Sequence, residues 1–422
     1  MRKVLVIAYY FPPLGGSGVQ RVLKFVKYLP QFGWQPTVLT VGPTAYYAKD
    51  ESLLKEIESA NIRILRTTSI DPNAVIHKKH DVVKMPKEGM RKLLSFISDT
   101  FFIPDNKIGW KRKAIKAASE VLKKEKFDVI FATSPPPTDF LVGVGLKKKF
   151  NIPLVVDYRD SWLNFPYKYF PTIFHRYIHY RLERAVMQTA DMVITTSRRT
   201  KEELLLRHKF LTYSDISIIP HGFDPEDLQV PSDDVLPRIE KMRITYSGMF
   251  YAKITPVYFL QALKKVFTDY PQLNGRIEAC FVGLFRTEHI NLVNQLGLQN
   301  AVNIVGYLEH REAVKYLLAS DVLWVMMRDD IMTPGKLFEY IGTKKKILGC
   351  VPPGYMRSTI EEAGGVCVDP TDVNQIAETI VRLYQQYERK ELRGARPEVV
   401  NKYNRVTLTG ELAKIFTRYL EV

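Results

Sequence analysis

Strand-length apolar runs alternate with helix-length amphipathic stretches along almost all of this 422-residue chain, and the alternation restarts after residue 241. VLVIAYY is followed by VQRVLKFVKYLPQFG and PTVLTV; farther on, KAIKAASEVLKKEKF precedes DVIFATS, and FLVGVGLKKKFN precedes IPLVVDYR. Such an order marks βαβ units, in which helices join parallel strands and cover both faces of the sheet. The second set runs RITYSG, VYFLQALKKVFTDY, IEACFVG, EHINLVNQLGL, VNIVGYL, HREAVKYLLAS, DVLWVMM and GGVCVD. Between the sets lies EDLQVPSDDVLPRIEK, which has two prolines, five acids and little periodicity. It predicts a linker. The expected division is a first domain at 1–225, a linker at 226–241, a second domain at 242–400, and a C-terminal helix at 401–422 that packs back on the first.

No apolar run approaches the ~18–20 residues a membrane span needs. MRKVLVIAYYFPP reads as a first strand, not a secretory signal, because its apolar run is short and a Pro-Pro follows. Cys280, Cys350 and Cys367 stand singly in strand-like segments, the pattern of structural thiols in a reduced, cytoplasmic protein. Charge is uneven. Residues 1–215 hold 36 Lys+Arg against 20 Asp+Glu, whereas 216–422 hold 25 of each, so the whole excess of +16 lies in the first half. That asymmetry predicts an anionic partner for the first half: nucleic acid, a membrane surface or a phosphorylated acceptor.

Two stretches break the α/β pattern. In 78–113, MRKLLSFISDTFF gathers Leu93, Leu94, Phe96, Ile97, Phe101 and Phe102 on one helix, with Lys78, Lys79, Lys84, Lys87, Arg91 and Lys92 before or on it. The second is PYKYFPTIFHRYIHYRLER at 166–184. Each is either core with solvated lysines or an amphipathic surface that rests on anionic lipid. With the charge asymmetry, the lipid reading leads.

The chemistry-bearing loops follow strands. FPPLGGSGVQRVLKF places glycines at 15, 16 and 18 before a helix whose amide-rich end suits phosphate. A dinucleotide fingerprint fails here, because Arg21 stands where its third glycine belongs and VLTVGP offers no acid for a ribose. In ITYSGMFYAKITP, Gly248 follows a strand and Lys253 stands where an amine reaches the leaving phosphate of a nucleotide. In TPGKLFEYIGTKKKIL, the break at Pro334 starts a helix whose amides at Gly335, Lys336 and Leu337 can receive a diphosphate. Glu339 in its first turns either accepts bonds from ribose hydroxyls or simply complements the helix dipole. DYRDSW lies at the carboxyl end of a strand, where open α/β sheets bind ligands. There Asp160 accepts the proton of an incoming hydroxyl and Arg159 pairs with an acceptor phosphate; otherwise an Asp–Arg pair holds the loop. No metal-ligand spacing is present: the histidines are scattered and Asp329-Asp330 alone is a poor cage.

These pieces, taken in order, resemble the retaining nucleotide-sugar glycosyltransferases of family 4. PPLGGSGVQRVLKFVKYLPQFGWQPTVLT, ADMVITTS, IIPHGFD, YSGMFYAKITP, FVG, IVGYL and TPGKLFEYIGTKKKIL follow one another at the family's intervals over nearly the whole chain. The resemblance implies a GT-B fold, an α/β architecture of two Rossmann-like doubly wound domains facing each other across a cleft. It implies donor-binding roles for Gly16, Ser17, Gly248, Lys253, Gly335, Lys336, Leu337 and Glu339, the last matching the second glutamate of an E-x7-E motif. Acceptor residues are expected at Thr133, Ser134, Asp157, Arg159 and Asp160, with Lys253 and Asp160 in the catalytic roles. Three positions depart from the pattern: Ile331 replaces the first glutamate, Met249 an arginine, and Thr133 or Ser134 a histidine.

The expected function is therefore transfer of a sugar from a UDP- or GDP-type donor to a lipid-linked or glycan acceptor in surface polysaccharide biosynthesis. No cofactor or metal is expected, since lysine and helix amides neutralise the leaving group. The expected location is cytoplasmic, peripheral on the inner face of the cell membrane, with an anionic membrane surface as partner and no nucleic acid. The alternatives are a non-hydrolysing nucleotide-sugar epimerase of the same fold, which needs further acid–base pairs, and a non-catalytic basic binding protein. A nucleic-acid binder needs a module signature that the chain lacks.

Overall fold

Strand β1 (Arg2–Ile7) has Val4 to Ile7 completely buried, as a strand covered by helices on both faces must. The computed structural model describes residues 1–44, 49–70, 88–165, 168–231, 234–250, 253–330, 334–418 and 420. These divide into two units, Met1–Pro220 with Leu408–Val422, and His221–Thr407.

In the first unit, β2 (Trp34–Val41), β3 (Arg63–Thr67), β4 (Val129–Ser134), β5 (Leu154–Tyr158), β6 (Met192–Thr195) and β7 (Ile216–Ile218) join β1 in a parallel sheet of order β3-β2-β1-β4-β5-β6-β7. The second unit repeats the plan with β8 (Met242–Ser247), β9 (Ile277–Val282), β10 (Val302–Gly306), β11 (Val322–Met326), β12 (Lys346–Cys350) and β13 (Val366–Val368), ordered β10-β9-β8-β11-β12-β13. Both sheets are doubly wound. The order reverses between β1 and β4 in the first and between β8 and β11 in the second, so each sheet opens a ligand crevice at the carboxyl ends of those strands.

The stretch 226–241, expected as a linker, belongs to the second unit as far as it is described. Phe223 donates its amide to the Tyr403 carbonyl and accepts from the Arg405 amide, at 3.0 and 2.9 Å. Lys315 and Arg311 hold Asp234. Asp234, one of the acids of the expected linker, is thus a partner for basic residues of the helix His310–Leu318. The last helix, Arg405–Arg418, supplies Leu408, Leu412, Ala413 and Phe416 to the core of the first unit, with Phe416 edge-on to Trp34 and Phe131.

The three cysteines are free, and burial pushes each thiol up to about 12, which keeps them protonated and unreactive. Among the described residues no helix is long and apolar enough to cross a membrane.

Candidate active site

The first unit's crevice is built on a buried ion pair. Arg21, in the helix Ser17–Tyr28 that follows the glycine loop, donates Nε and Nη2 to the two carboxylate oxygens of Asp157 at 3.1 and 2.9 Å, and both side chains are wholly buried. Its remaining donors reach the carbonyls of Pro220 and Ile219, and the Thr133 hydroxyl donates to Asp157 at 2.9 Å. The residue that broke the dinucleotide fingerprint is therefore the brace between the helix after the glycine loop, the sheet and the segment that follows β7. Asp157 and Thr133 belong to that brace and not to a surface that an acceptor can touch.

Arg159 is likewise committed. Its Nη1, Nη2 and Nε donate to the carbonyls of Gly18, Pro135 and Ser134 at 2.6, 2.9 and 3.1 Å. A Cβ at Gly18 would lie 3.0 Å from Nη1, so this glycine makes room for the guanidinium and not for a ligand. The expected pairing of Arg159 with an acceptor phosphate is corrected by these three bonds: the side chain ties two loops together. Ser134 is buried and contributes through its carbonyl.

Asp160 differs. It is half-buried, has no hydrogen bond among the described residues, and burial raises its carboxyl above the usual range against the pull of Arg159. Asp139, missed in the sequence, lies completely buried at the start of the helix Thr138–Phe150; it accepts the Tyr9 amide at 2.8 Å through one oxygen, and its other oxygen has no partner among the described residues. Gly16 is exposed at a φ of +103°, capping the helix. The side chain of Ser17 lies outside the described residues.

The second unit's crevice is lined by backbone. Gly248 and Gly283 directly follow β8 and β9 with φ of +136° and +134°, and the Gly248 amide donates to the Val282 carbonyl at 2.7 Å. A Cβ at Gly283 would lie 2.2 Å from the Gly248 carbonyl oxygen. The helix Lys336–Gly342 brings up two side chains one turn apart. Glu339 accepts from His310 Nε2 at 3.1 Å; burial pushes its carboxyl up, but His310, Arg405 and Lys336 together outweigh this and hold it below the usual range. Lys336 lays its Nζ 3.8 Å from the centre of the Tyr246 ring and against Gly248.

Lys253, expected to reach a leaving phosphate, is exposed on its loop. The amide of Leu337 is spent on the Pro334 carbonyl at 3.1 Å, which removes it from the expected diphosphate donors. Ile331 and Thr333 lie outside the described residues. Sequence reasoning missed His310 and the Lys336 side chain; a cation three residues before Glu339 was the available signal for the latter. Among the described residues no group of three His, Cys, Asp or Glu is placed to hold a metal ion. The two crevices thus differ in chemistry: the second offers an acceptor-only carboxylate beside a cation and open backbone, and the first an unpaired carboxyl.

A model of Glycosyltransferase Family 4 matches residues 15–227, and one of Glycosyl transferases group 1 matches residues 238–396. No curated protein matches the chain. Among solved structures, a glycosyltransferase from Rickettsia africae superposes with a TM-score of 0.66 at 16% identity, covering 99% of this chain and 98% of that one. An Anabaena protein, Alr3699/HepE, in complex with UDP gives 0.66 at 14% identity over 99% and 100% of the two chains. Sucrose-phosphate synthase from Thermosynechococcus elongatus gives 0.65 at 17% identity over the full length of both. The fold shared with these structures is GT-B.

Proposed function

Since the chain belongs to Glycosyltransferase Family 4, we propose that it transfers a sugar, with retention and without a metal, from a UDP- or GDP-type donor to a lipid-linked or glycan acceptor in surface polysaccharide biosynthesis. The observation that carries this reading is Glu339, an ionised carboxylate fixed by His310 at the crevice of the second sheet, one helical turn from a cation. A carboxylate so held accepts two ribose hydroxyls, and the UDP in the Anabaena structure supports a donor of that class. In the reaction the bond between the anomeric carbon and the diphosphate oxygen breaks, and the oxygen keeps the electron pair. The acceptor oxygen bonds to that carbon, and its proton passes to Asp160 or to the departing phosphate. The charge that develops on the diphosphate is met by lysine and backbone amides.

Glu339→Ala is expected to weaken UDP or GDP binding about tenfold or more, the worth of a charge-assisted hydrogen bond. Asp160→Asn is expected to lower turnover while leaving that affinity alone, and wild-type activity is expected to fall as acid protonates the raised carboxyl. Titration calorimetry beside a turnover assay decides both: unchanged affinity in Glu339→Ala removes the ribose role, and unchanged turnover in Asp160→Asn removes the acceptor role.

The membrane-facing part of the reading rests on a surface made by two distant stretches. Lys168 pairs with Asp99 at 2.8 Å, His175 meets the Thr100 carbonyl, and the Phe96 and Tyr169 rings are 4.9 Å apart. The joined helices Glu88–Phe101 and Ile173–Thr189 leave Phe101, Ile173 and Phe174 exposed at 76%, 90% and 68%. Exposed Arg176, Arg181 and Arg184 lie on the second helix. An apolar face flanked by cations, in the half of the chain that carries the whole excess charge, suits an anionic bilayer interface. Lys78, Lys79, Lys84 and Lys87 and the side chains of Arg91 and Lys92 lie outside the described residues. Sedimentation with phosphatidylglycerol vesicles is expected to carry the protein down at low salt and less so at high salt, whereas neutral vesicles leave it in solution. Phe101→Asp with Ile173→Asp is expected to abolish the effect without unfolding, because both side chains face water. Absence of binding at low salt refutes the bilayer surface.

A further inference from the structure

The Lys336 ammonium occupies an unusual position. Its three donors have no hydrogen-bond acceptor among the described residues, and its contact is with the face of a buried tyrosine, Tyr246, at 3.8 Å. Glycine at 248 is what admits it: a Cβ there would lie 2.6 Å from Nζ. The loop that begins at Gly248 carries Met249 in place of a cation, and its own lysine, Lys253, is exposed. A charged amine held over open backbone with its donors unfilled is arranged for an anion that brings several acceptor oxygens.

We propose that the side chain of Lys336 is the diphosphate-binding cation of the donor site, entering over Gly248 from the neighbouring helix and serving where the loop itself has methionine. This assignment rests on the donor reading above and specifies which group meets the phosphates. Tyr246 holds the methylene stem and ammonium in place, and Glu339 one turn on binds the sugar of the same nucleotide. One helix turn thus grips both ends of the ribose diphosphate. The charges that bear on Lys336 are Glu339 on its own helix, with His310 and Arg405 acting on that carboxylate from the elements opposite. Burial lowers the amine to about 7, with Glu339 pulling the other way. The free protein therefore has the ammonium in full below neutrality and loses it as pH rises through that value.

The test uses the full chain and four titrants: UDP, GDP, uridine and guanosine. Wild type is expected to bind one diphosphate far more tightly than its nucleoside, with the difference shrinking as pH rises from 6 through about 7 and beyond. Lys336→Met, which keeps the stem over Tyr246, is expected to lose about tenfold or more in diphosphate affinity and nothing in nucleoside affinity. Lys336→Arg should retain most of the diphosphate affinity. Thermal stability separates this from a structural role. An ammonium whose folded pKa is depressed costs stability in full below that pKa, and the cost fades as pH climbs towards the unfolded value. Lys336→Met is therefore expected to melt no lower than wild type, with its advantage greatest below neutrality. Equal diphosphate affinity in wild type and Lys336→Met overturns the assignment, as does an equal loss for nucleoside and diphosphate, or a loss confined to Lys253→Met. Wild type that binds neither UDP nor GDP overturns the donor reading itself and the assignment with it.

Discussion

Arg21→Met is expected to cost the first unit about 3–5 kcal/mol, the penalty for leaving a buried charge without its partner. Asp157 is completely enclosed, and the two guanidinium bonds are its only ion pair among the described residues, with Arg159 acting on it without a direct bond; the Thr133 hydroxyl that remains is a neutral donor. The same substitution frees the carbonyls of Ile219 and Pro220. For a unit of this size each kcal/mol moves the midpoint by roughly 2–4 °C, so a fall of about 6–20 °C is expected by calorimetry. Removing both charges, as in Arg21→Met with Asp157→Leu, should recover part of the loss, because an apolar pair carries no desolvation cost. A single substitution that costs less than about 1 kcal/mol, in the range of an exposed pair, contradicts a brace at this position.

Gly283→Ala should be a strongly damaging one-atom change in the second unit. A φ of +134° strains any side chain, costing about 1–2 kcal/mol. The added carbon also meets the Gly248 carbonyl oxygen at 2.2 Å, a backbone atom that moves only with its loop, for a further ~1–3 kcal/mol. Gly275→Ala is the natural control. Its φ is +78°, and nothing lies within 4 Å of the new carbon, so it should show the backbone cost alone. Because Gly248 is the floor beneath Lys336, Gly283→Ala is also expected to weaken diphosphate binding, while Gly275→Ala leaves it unchanged. Thermal unfolding and nucleotide titration of the two variants decide the matter; equal values for both mean that the crowding at Gly283 is relieved without cost.

The α/β alternation could be read because each strand and each helix states its period locally. Strand order could not: nothing in VLVIAYY or DVIFATS says that β1 lies between β2 and β4. The same limit applies to the site. Glu339 and Asp160 were visible as acids placed beside breaks and strand ends. Arg21 was visible only as a departure from a glycine pattern, since its partner Asp157 lies 136 residues away. Lys336 was read through its backbone amide because a helix start advertises amides, whereas the direction of its side chain depends on Gly248 in another loop. Asp234 in 226–241 looked like a linker acid for want of Lys315 and Arg311. The stretches at 78–113 and 166–184 each left core and lipid-facing surface open; where they are described, Asp99 with Lys168 holds them side by side, with Phe101, Ile173 and Phe174 exposed.

The backbone pairing of Phe223 with Tyr403 and Arg405 has a consequence for how the chain is made. Entry into and exit from the second unit run side by side, so this unit is an insertion whose ends meet, and all its strands are available before synthesis reaches residue 408. The first unit has its seven strands by residue 218 but waits for Leu412 and Phe416, both fully buried, to close over Trp34. The part begun first on the ribosome is therefore finished last, and until then an apolar face of its sheet stays open to water. Truncation just before Leu408 is accordingly far more harmful to the domain at the amino terminus than to the one at which the chain is cut.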